Sequence, residues 1–182
     1  IGAYEKSSYN KALYQGELFA QDLCVTSGEV SLSGFQPDSS LHAAGLFNLG
    51  EEQVAYGYKL FDQLYPASTT KTMTAYLALK YGNPDDVVTV SAHATDFNWD
   101  ESVAGLVTGD SLTLYDLICG LMLCSGNDCG TAIAEHISGS EEAFAQLMNT
   151  EAAKLGATGT HFVNPHGLHD DNHYTTAYDL YL

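Results

Sequence analysis

Pro66-Ala67-Ser68-Thr69-Thr70-Lys71, running straight into Thr72-Met73-Thr74-Ala75-Tyr76-Leu77-Ala78-Leu79-Lys80-Tyr81-Gly82, is the stretch on which the reading of this chain turns. A proline at the start, a mostly apolar run and a closing glycine predict one helix from about Pro66 to Tyr81. On such a helix Ser68 and Lys71 stand three residues apart, so their side chains share a face of the first turn, where the orphan N–H groups and the positive end of the dipole also lie. A hydroxyl, an amine and an anion-friendly backbone suit nucleophilic acyl transfer, with Ser68 attacking, Lys71 taking its proton and the Ser68 amide helping to hold the oxyanion. A bare Ser-x-x-Lys is short and common, and its plain alternative is a capping serine beside a solvated lysine. The rest of the chain must decide between them.

Outward from that helix, Leu41-His42-Ala43-Ala44-Gly45-Leu46-Phe47-Asn48 and Gln53-Val54-Ala55-Tyr56-Gly57-Tyr58-Lys59 are β-prone runs joined by Leu49-Gly50-Glu51-Glu52, a hairpin signal. The second strand passes through Phe61 to Tyr65 into the Ser68 helix. Residues 1–40 carry no clear period and read as a lead-in segment. After Gly82, Asp86 to Ser91 is a short β-like piece and His93 to Asp110 reads as loop. Thr113 and Asp116 then form a capping-box start, and Leu114, Leu117, Ile118, Leu121 and Met122 keep the spacing of a buried helical face. That helix stops at Ser125-Gly126-Asn127. Another is expected from about Asp128 to His136, and a third from Ser140 to Gly156, with Glu141 and Glu142 in its first turn and Phe144, Leu147, Met148 and Leu155 turned inward.

Composition excludes several classes of function. The 182 residues are enough for one real core and carry a globular apolar content. The formal charge is −17, there is no arginine, and the six lysines are Lys6, Lys11, Lys59, Lys71, Lys80 and Lys154, from which no basic patch for nucleic acid or an anionic membrane surface can be assembled. No apolar run approaches the ~20 residues that span a bilayer, and no signal-peptide pattern opens the chain, so it is either cytoplasmic or exported with its signal removed. Cys24, Cys119, Cys124 and Cys129 form no C-x-x-C pair and read as buried thiols, with a disulfide as the alternative.

Two further clusters carry chemistry. Ser125-Gly126-Asn127 puts a hydroxyl and an amide at an interhelical turn; alone it is an ordinary helix stop and restart, but beside Lys71 the hydroxyl can relay a proton and the amide can bind a peptide-like substrate. Asn164-Pro165-His166-Gly167-Leu168, followed by His169, Asp170, Asp171 and His173, offers imidazoles and carboxylates to a metal, yet the spacing matches no usual zinc signature, and Asn-Pro and His-Gly argue for an irregular structural loop.

The three clusters, in this order and on these elements, resemble the serine-type D-alanyl-D-alanine carboxypeptidases, the low-molecular-mass penicillin-binding proteins, from about Leu41 to Leu182. The flanks take part in the resemblance: the hairpin before Ser68, the Leu-Met-Leu-Cys helix before Ser125, and Tyr174-Thr175-Thr176-Ala177-Tyr178-Asp179 after the loop. It implies an α/β (α+β) fold of the β-lactamase/transpeptidase-like kind, a helical lobe packed on an antiparallel sheet, with the sheet incomplete in this chain. Residues 41–182 would then be a partial penicillin-binding domain lacking the C-terminal strands. It further implies that Ser68 is the acylated nucleophile, Lys71 its general base, Ser125 the proton relay and Asn127 a ligand for the substrate amide, with no metal and no cofactor. The implied partners are a peptidoglycan stem peptide ending in D-Ala-D-Ala, β-lactams as inhibitors and a C-terminal segment that completes the sheet; the implied location is exported, at the cell envelope.

One departure stands out, because no Lys-Thr-Gly or Lys-Ser-Gly follows. For Lys71 to act as a base near neutral pH its pKa must fall from about 10.4 by about three units, and with a chain this acidic desolvation has to win locally. Rival readings are a β-lactamase-like hydrolase, although Gly126 stands where that motif carries Asp and no Glu-bearing deacylation loop is evident, and a non-catalytic binding or metal-binding module on the same scaffold.

Overall fold

The computed structural model describes residues 22–182, so the predicted lead-in is described only from Asp22 on. The chain divides into two compact units, one comprising the residues up to Asp62 together with Thr176–Tyr181, the other Gln63–Thr175 with Leu182.

In the first unit the predicted hairpin forms as β1 (Ala44–Asn48) and β2 (Gln53–Tyr58), antiparallel, with the register slipping by a bulge between Leu46 and Phe47. Part of the lead-in is sheet as well. Val30 exchanges both backbone hydrogen bonds with Gly57, at 2.9 Å each, so the far edge of β2 is partly paired instead of open. Buried Cys24, Val54 and Leu60 make a small core, which Phe47 and Tyr181 extend by stacking at 4.0 Å between ring centroids. Tyr181 lies on the short terminal helix Ala177–Tyr181.

The second unit holds the helices. The predicted helix from Pro66 is realised in two parts, a 3₁₀ turn Ala67–Thr70 and α1 (Lys71–Tyr81), whose buried positions Lys71, Thr74, Leu77 and Ala78 follow the three-to-four spacing of one face. It ends at Gly82, whose backbone turns extended and where a Cβ would lie 2.3 Å from Leu114 Cδ2 and 2.9 Å from the Ala78 carbonyl oxygen. The β-like piece expected at Asp86 to Ser91 forms as β3 (Val87–Thr89), and it pairs antiparallel with β4 (Ser111–Thr113), which the sequence pattern missed. Three residues are too few for alternation to show, and Thr113 also serves as the N-cap of α2 (Leu114–Leu123), where the capping box with Asp116 forms as expected. Leu114, Leu117, Ile118 and Leu121 are buried, but Met122 is 49% exposed and does not belong to that face.

Next comes α3 (Asn127–Ser138), buried continuously from Asn127 to Ala134, which makes it the central helix. Gly139, at φ 84°, stops it in the left-handed conformation. Ser140 then caps α4 (Glu141–Lys154) by accepting from the Ala143 amide at 3.1 Å. Phe144 and Met148 are buried, whereas Leu147 and Leu155 are only partly so. Phe144 and Met148 join Leu77, Leu117, Ile133 and Phe162 in the main core, where each fully buried large side chain contributes about 1.5–3 kcal/mol. Glu151 is fully buried on α4 and takes hydrogen bonds from Lys154, Lys80 and Tyr81, which hold its carboxyl down to about 2. The four cysteines are free thiols; Cys24 and Cys129 are buried as expected, Cys119 is half-buried and Cys124 is exposed.

Candidate active site

Ser68 is exposed on the 3₁₀ turn, and the residue before it, Ala67, sits at φ 48°, a left-handed value that a Cβ disfavours. The turn is held open to that shape from below. Thr69 bonds back to the Pro66 carbonyl through its amide (3.1 Å) and hydroxyl (2.6 Å), and Leu64 exchanges backbone hydrogen bonds with Thr175. Gly167, at φ 90°, presses against it so closely that a Cβ would lie 1.9 Å from the Ala67 carbonyl oxygen. Gly167→Ala is therefore expected to displace the Ser68 turn or the loop, lowering the rate of any chemistry at Ser68 at least tenfold and the melting temperature along with it; paired rate and melting measurements would show it.

The Asn164–Leu168 loop braces itself. The Asn164 side chain accepts from the Gly167 amide (2.7 Å) and the His166 amide (3.3 Å) and donates to the Leu168 carbonyl (2.8 Å), while the Pro165 carbonyl accepts from the Thr74 hydroxyl (2.6 Å). This leaves the His166 carbonyl aimed at the site. Lys71, only 2% exposed, donates through Nζ to that carbonyl (2.8 Å), to Asn127 Oδ1 (2.8 Å) and to Ser68 Oγ (3.1 Å). Ser125, the last residue before Gly126 and α3, also takes a left-handed φ of 54° and places its Oγ 3.0 Å from Ser68 Oγ. Burial pushes Lys71 down from 10.5 to about 8, against the opposing pull of Asp128. The expectation that desolvation wins locally is thus met.

All four residues singled out in the sequence, Ser68, Lys71, Ser125 and Asn127, come together. Asn127 joins them through its side-chain oxygen, which is bonded to Lys71. The His-rich loop has other duties than metal binding. His173 is buried and held down to about 4; its Nδ1 accepts from the Val163 amide (3.1 Å), so Nε2 carries the proton and donates to Thr70 Oγ1 (2.8 Å) at the root of the nucleophile's turn. His166 accepts the Leu168 amide on Nδ1 and turns Nε2 toward Glu141 at 3.6 Å. Among the described residues no three His, Cys, Asp or Glu side chains are grouped to hold a metal ion. Sequence reasoning missed the His166 carbonyl, the pairing of Thr70 with His173 and the buried Asp128; His173 drew notice only as a metal ligand, and Asp128, directly after the Ser-Gly-Asn turn at a helix start, had a side chain that could have drawn notice.

The family model for D-alanyl-D-alanine carboxypeptidases matches residues 36–182. The chain belongs to the D-alanyl-D-alanine carboxypeptidase family. Within that family it is 40% identical over 133 residues to the D-alanyl-D-alanine carboxypeptidase DacF of Bacillus subtilis, covering 70% of this chain and 34% of that protein. To DacD of Escherichia coli it is 37% identical over 131 residues, covering 65% and 33%. The chain thus spans about a third of the length of these curated relatives. Among solved structures it resembles penicillin binding protein 5 from Haemophilus influenzae, with a TM-score of 0.74 at 34% identity, covering 80% of this chain and 44% of that one. Penicillin binding protein 6B from Escherichia coli gives 0.71 at 34% identity, covering 82% and 51%. The fold of this carboxypeptidase family member is accordingly that of the penicillin-binding proteins, helices with small antiparallel sheets.

Proposed function

We propose that the chain carries the acylating centre of a serine-type D-Ala-D-Ala carboxypeptidase, which removes the terminal D-Ala from peptidoglycan stem peptides through an acyl-enzyme and is itself acylated by β-lactams. The observation that carries this reading is that Ser68 Oγ lies within hydrogen-bond reach of both Lys71 Nζ (3.1 Å) and Ser125 Oγ (3.0 Å), with Lys71 desolvated. When Lys71 loses a proton, its two remaining N–H bonds go to Asn127 Oδ1 and the His166 carbonyl, and its lone pair faces the Ser68 hydroxyl.

In this mechanism Ser68 Oγ attacks the carbonyl of the penultimate D-Ala and its proton passes to Lys71 Nζ. The oxyanion of the tetrahedral intermediate is held by the Ser68 amide at the start of the helical turn. Collapse breaks the C–N bond, with the proton relayed through Ser125 Oγ to the leaving amine, and water then cleaves the Ser68 ester by the same route in reverse. Lys-Thr-Gly and Lys-Ser-Gly occur nowhere in the sequence, so within this proposal the substrate carboxylate and the second oxyanion N–H fall to a strand outside these residues. Because peptidoglycan lies outside the membrane, the reading also makes this an exported protein of the cell envelope.

Incubation with labelled penicillin followed by intact-protein mass spectrometry tests it. A long-lived adduct supports the carboxypeptidase reading, rapid turnover replaces it with a β-lactamase, and no adduct overturns it. The pH dependence is fixed in sign. The neutral amine is the base and its pKa lies at about 8, so the acylation rate should rise about tenfold per pH unit below that value and level off above it.

A further inference from the structure

Asp128 is 1% exposed, yet the acylation chemistry proposed above makes no use of it. Its carboxylate accepts from three consecutive amides of one loop, with Oδ1 bonded to Ala104 N–H (2.8 Å) and Oδ2 to Gly105 N–H (2.9 Å) and Leu106 N–H (3.0 Å). Oδ1 also takes the Cys129 amide in the first turn of its own helix at 2.9 Å. One residue back, the Asn127 amide donates to the Ser102 carbonyl at 2.8 Å. The loop so held lies directly over the turn: a Cβ on Gly126 would stand 3.1 Å from the backbone nitrogen of Ala104. Four N–H donors thus converge on one carboxylate in a nearly dry setting.

We propose that Asp128 is a positioning residue for acylation, one that locks the Ser102–Leu106 loop onto the Ser125–Asn127 turn and sets a carboxylate directly after Asn127, whose side chain binds Lys71 Nζ. The inference rests on the carboxypeptidase reading for the reaction, but its geometry does not. The two duties pull against each other. The clamp fixes Asn127, whose Oδ1 holds Nζ, whereas the charge favours the ammonium over the amine that the mechanism needs. Among the described residues the groups bonded to Nζ are uncharged: Ser68 and Asn127 are neutral, and His166 meets Nζ through its backbone carbonyl, its ring being turned to Glu141. His173 is engaged with Thr70. Asp128 is therefore what stops burial from lowering Lys71 further.

The test is Asp128→Asn, which keeps the shape and removes the charge. Lys71 is titrated directly by competitive trace acetylation across pH, read on the Lys71 peptide by mass spectrometry, so that no enzymatic activity is needed. The midpoint should fall by on the order of one pH unit, the acid limb of penicillin acylation should move down with it, and the plateau rate should drop because the clamp is weakened. Asp128→Glu should restore the midpoint. A merely structural role would lower the rate or stability without moving the midpoint, and an unchanged or raised midpoint in folded Asp128→Asn overturns the proposal. If the variant does not fold, hydrogen exchange on the unmutated chain decides: slow exchange of the Ala104, Gly105 and Leu106 amides, which lie outside helix and strand, supports the clamp, and fast exchange overturns it. A chain that gives no penicillin adduct but shows the Lys71 shift would sink the carboxypeptidase reading, and with it the role in acylation, and leave standing the effect of Asp128 on Lys71.

Discussion

Replacing Ser68 with alanine is expected to abolish covalent labelling by penicillin, with the unlabelled mass as the only species in intact-protein mass spectrometry. Ser68 carries the oxygen that would form the ester and takes the hydrogen bonds of both Lys71 Nζ and Ser125 Oγ, so both neighbours converge on it and neither substitutes for it. Stability should barely change. Ser68 is exposed, and a hydroxyl lost near a helix start costs only about 1 kcal/mol. A persistent adduct in the variant would mean that another nucleophile is acylated and that the convergence on Ser68 serves some other end.

Lys71→Arg should be nearly as damaging. A guanidinium fills much of the same space and can still donate to Asn127 and the His166 carbonyl, but it does not release a proton at any usable pH, so acylation should fall by about 10²–10⁴. Stopped-flow acylation with a chromogenic β-lactam would measure it, and a rate near that of the parent would reduce Lys71 to an electrostatic partner. Linkage supplies an independent check. The folded pKa of Lys71, about 8, lies below its ordinary 10.5, so between these values the unfolded chain binds more protons and this residue's contribution to stability rises with pH. Below that window the buried ammonium carries a penalty on the order of 3 kcal/mol. In the arginine variant the cation is never discharged, so the rise should vanish from denaturant titrations at pH 8 to 10.

Much of this was legible in the chain because helices advertise themselves. Ser68 and Lys71 are linked by a three-residue spacing, Ser125 and Asn127 by a stop between two apolar runs, and Thr113 and Ser140 by their capping partners. What stayed hidden has little or no side-chain signature. The acceptor that fixes Lys71 from the third motif is a main-chain carbonyl, and any residue at position 166 would present one. The β3–β4 pair is three residues long on each side, below the length at which alternation registers. Met122 obeys the helical period yet faces out, since period assigns a face and only tertiary packing decides how wide the covered stripe is. That Asn127 also binds Lys71 through its oxygen was not legible, because the two side chains meet only through tertiary packing.

The contact between Gly167 and the Ala67 carbonyl joins two points a hundred residues apart in the chain. Loops of that span close late in folding, after the local helices have formed. Until they close, Lys71 is wet, keeps the proton of an ordinary lysine, and Ser68 is a serine like any other on the chain. On the proposed chemistry, reactivity toward acyl donors is thus an emergent property of the fold: a nascent or unfolded chain carries Ser68, Lys71 and Ser125 and none of their joint nucleophilicity, and stays chemically silent until the long-range contacts are made.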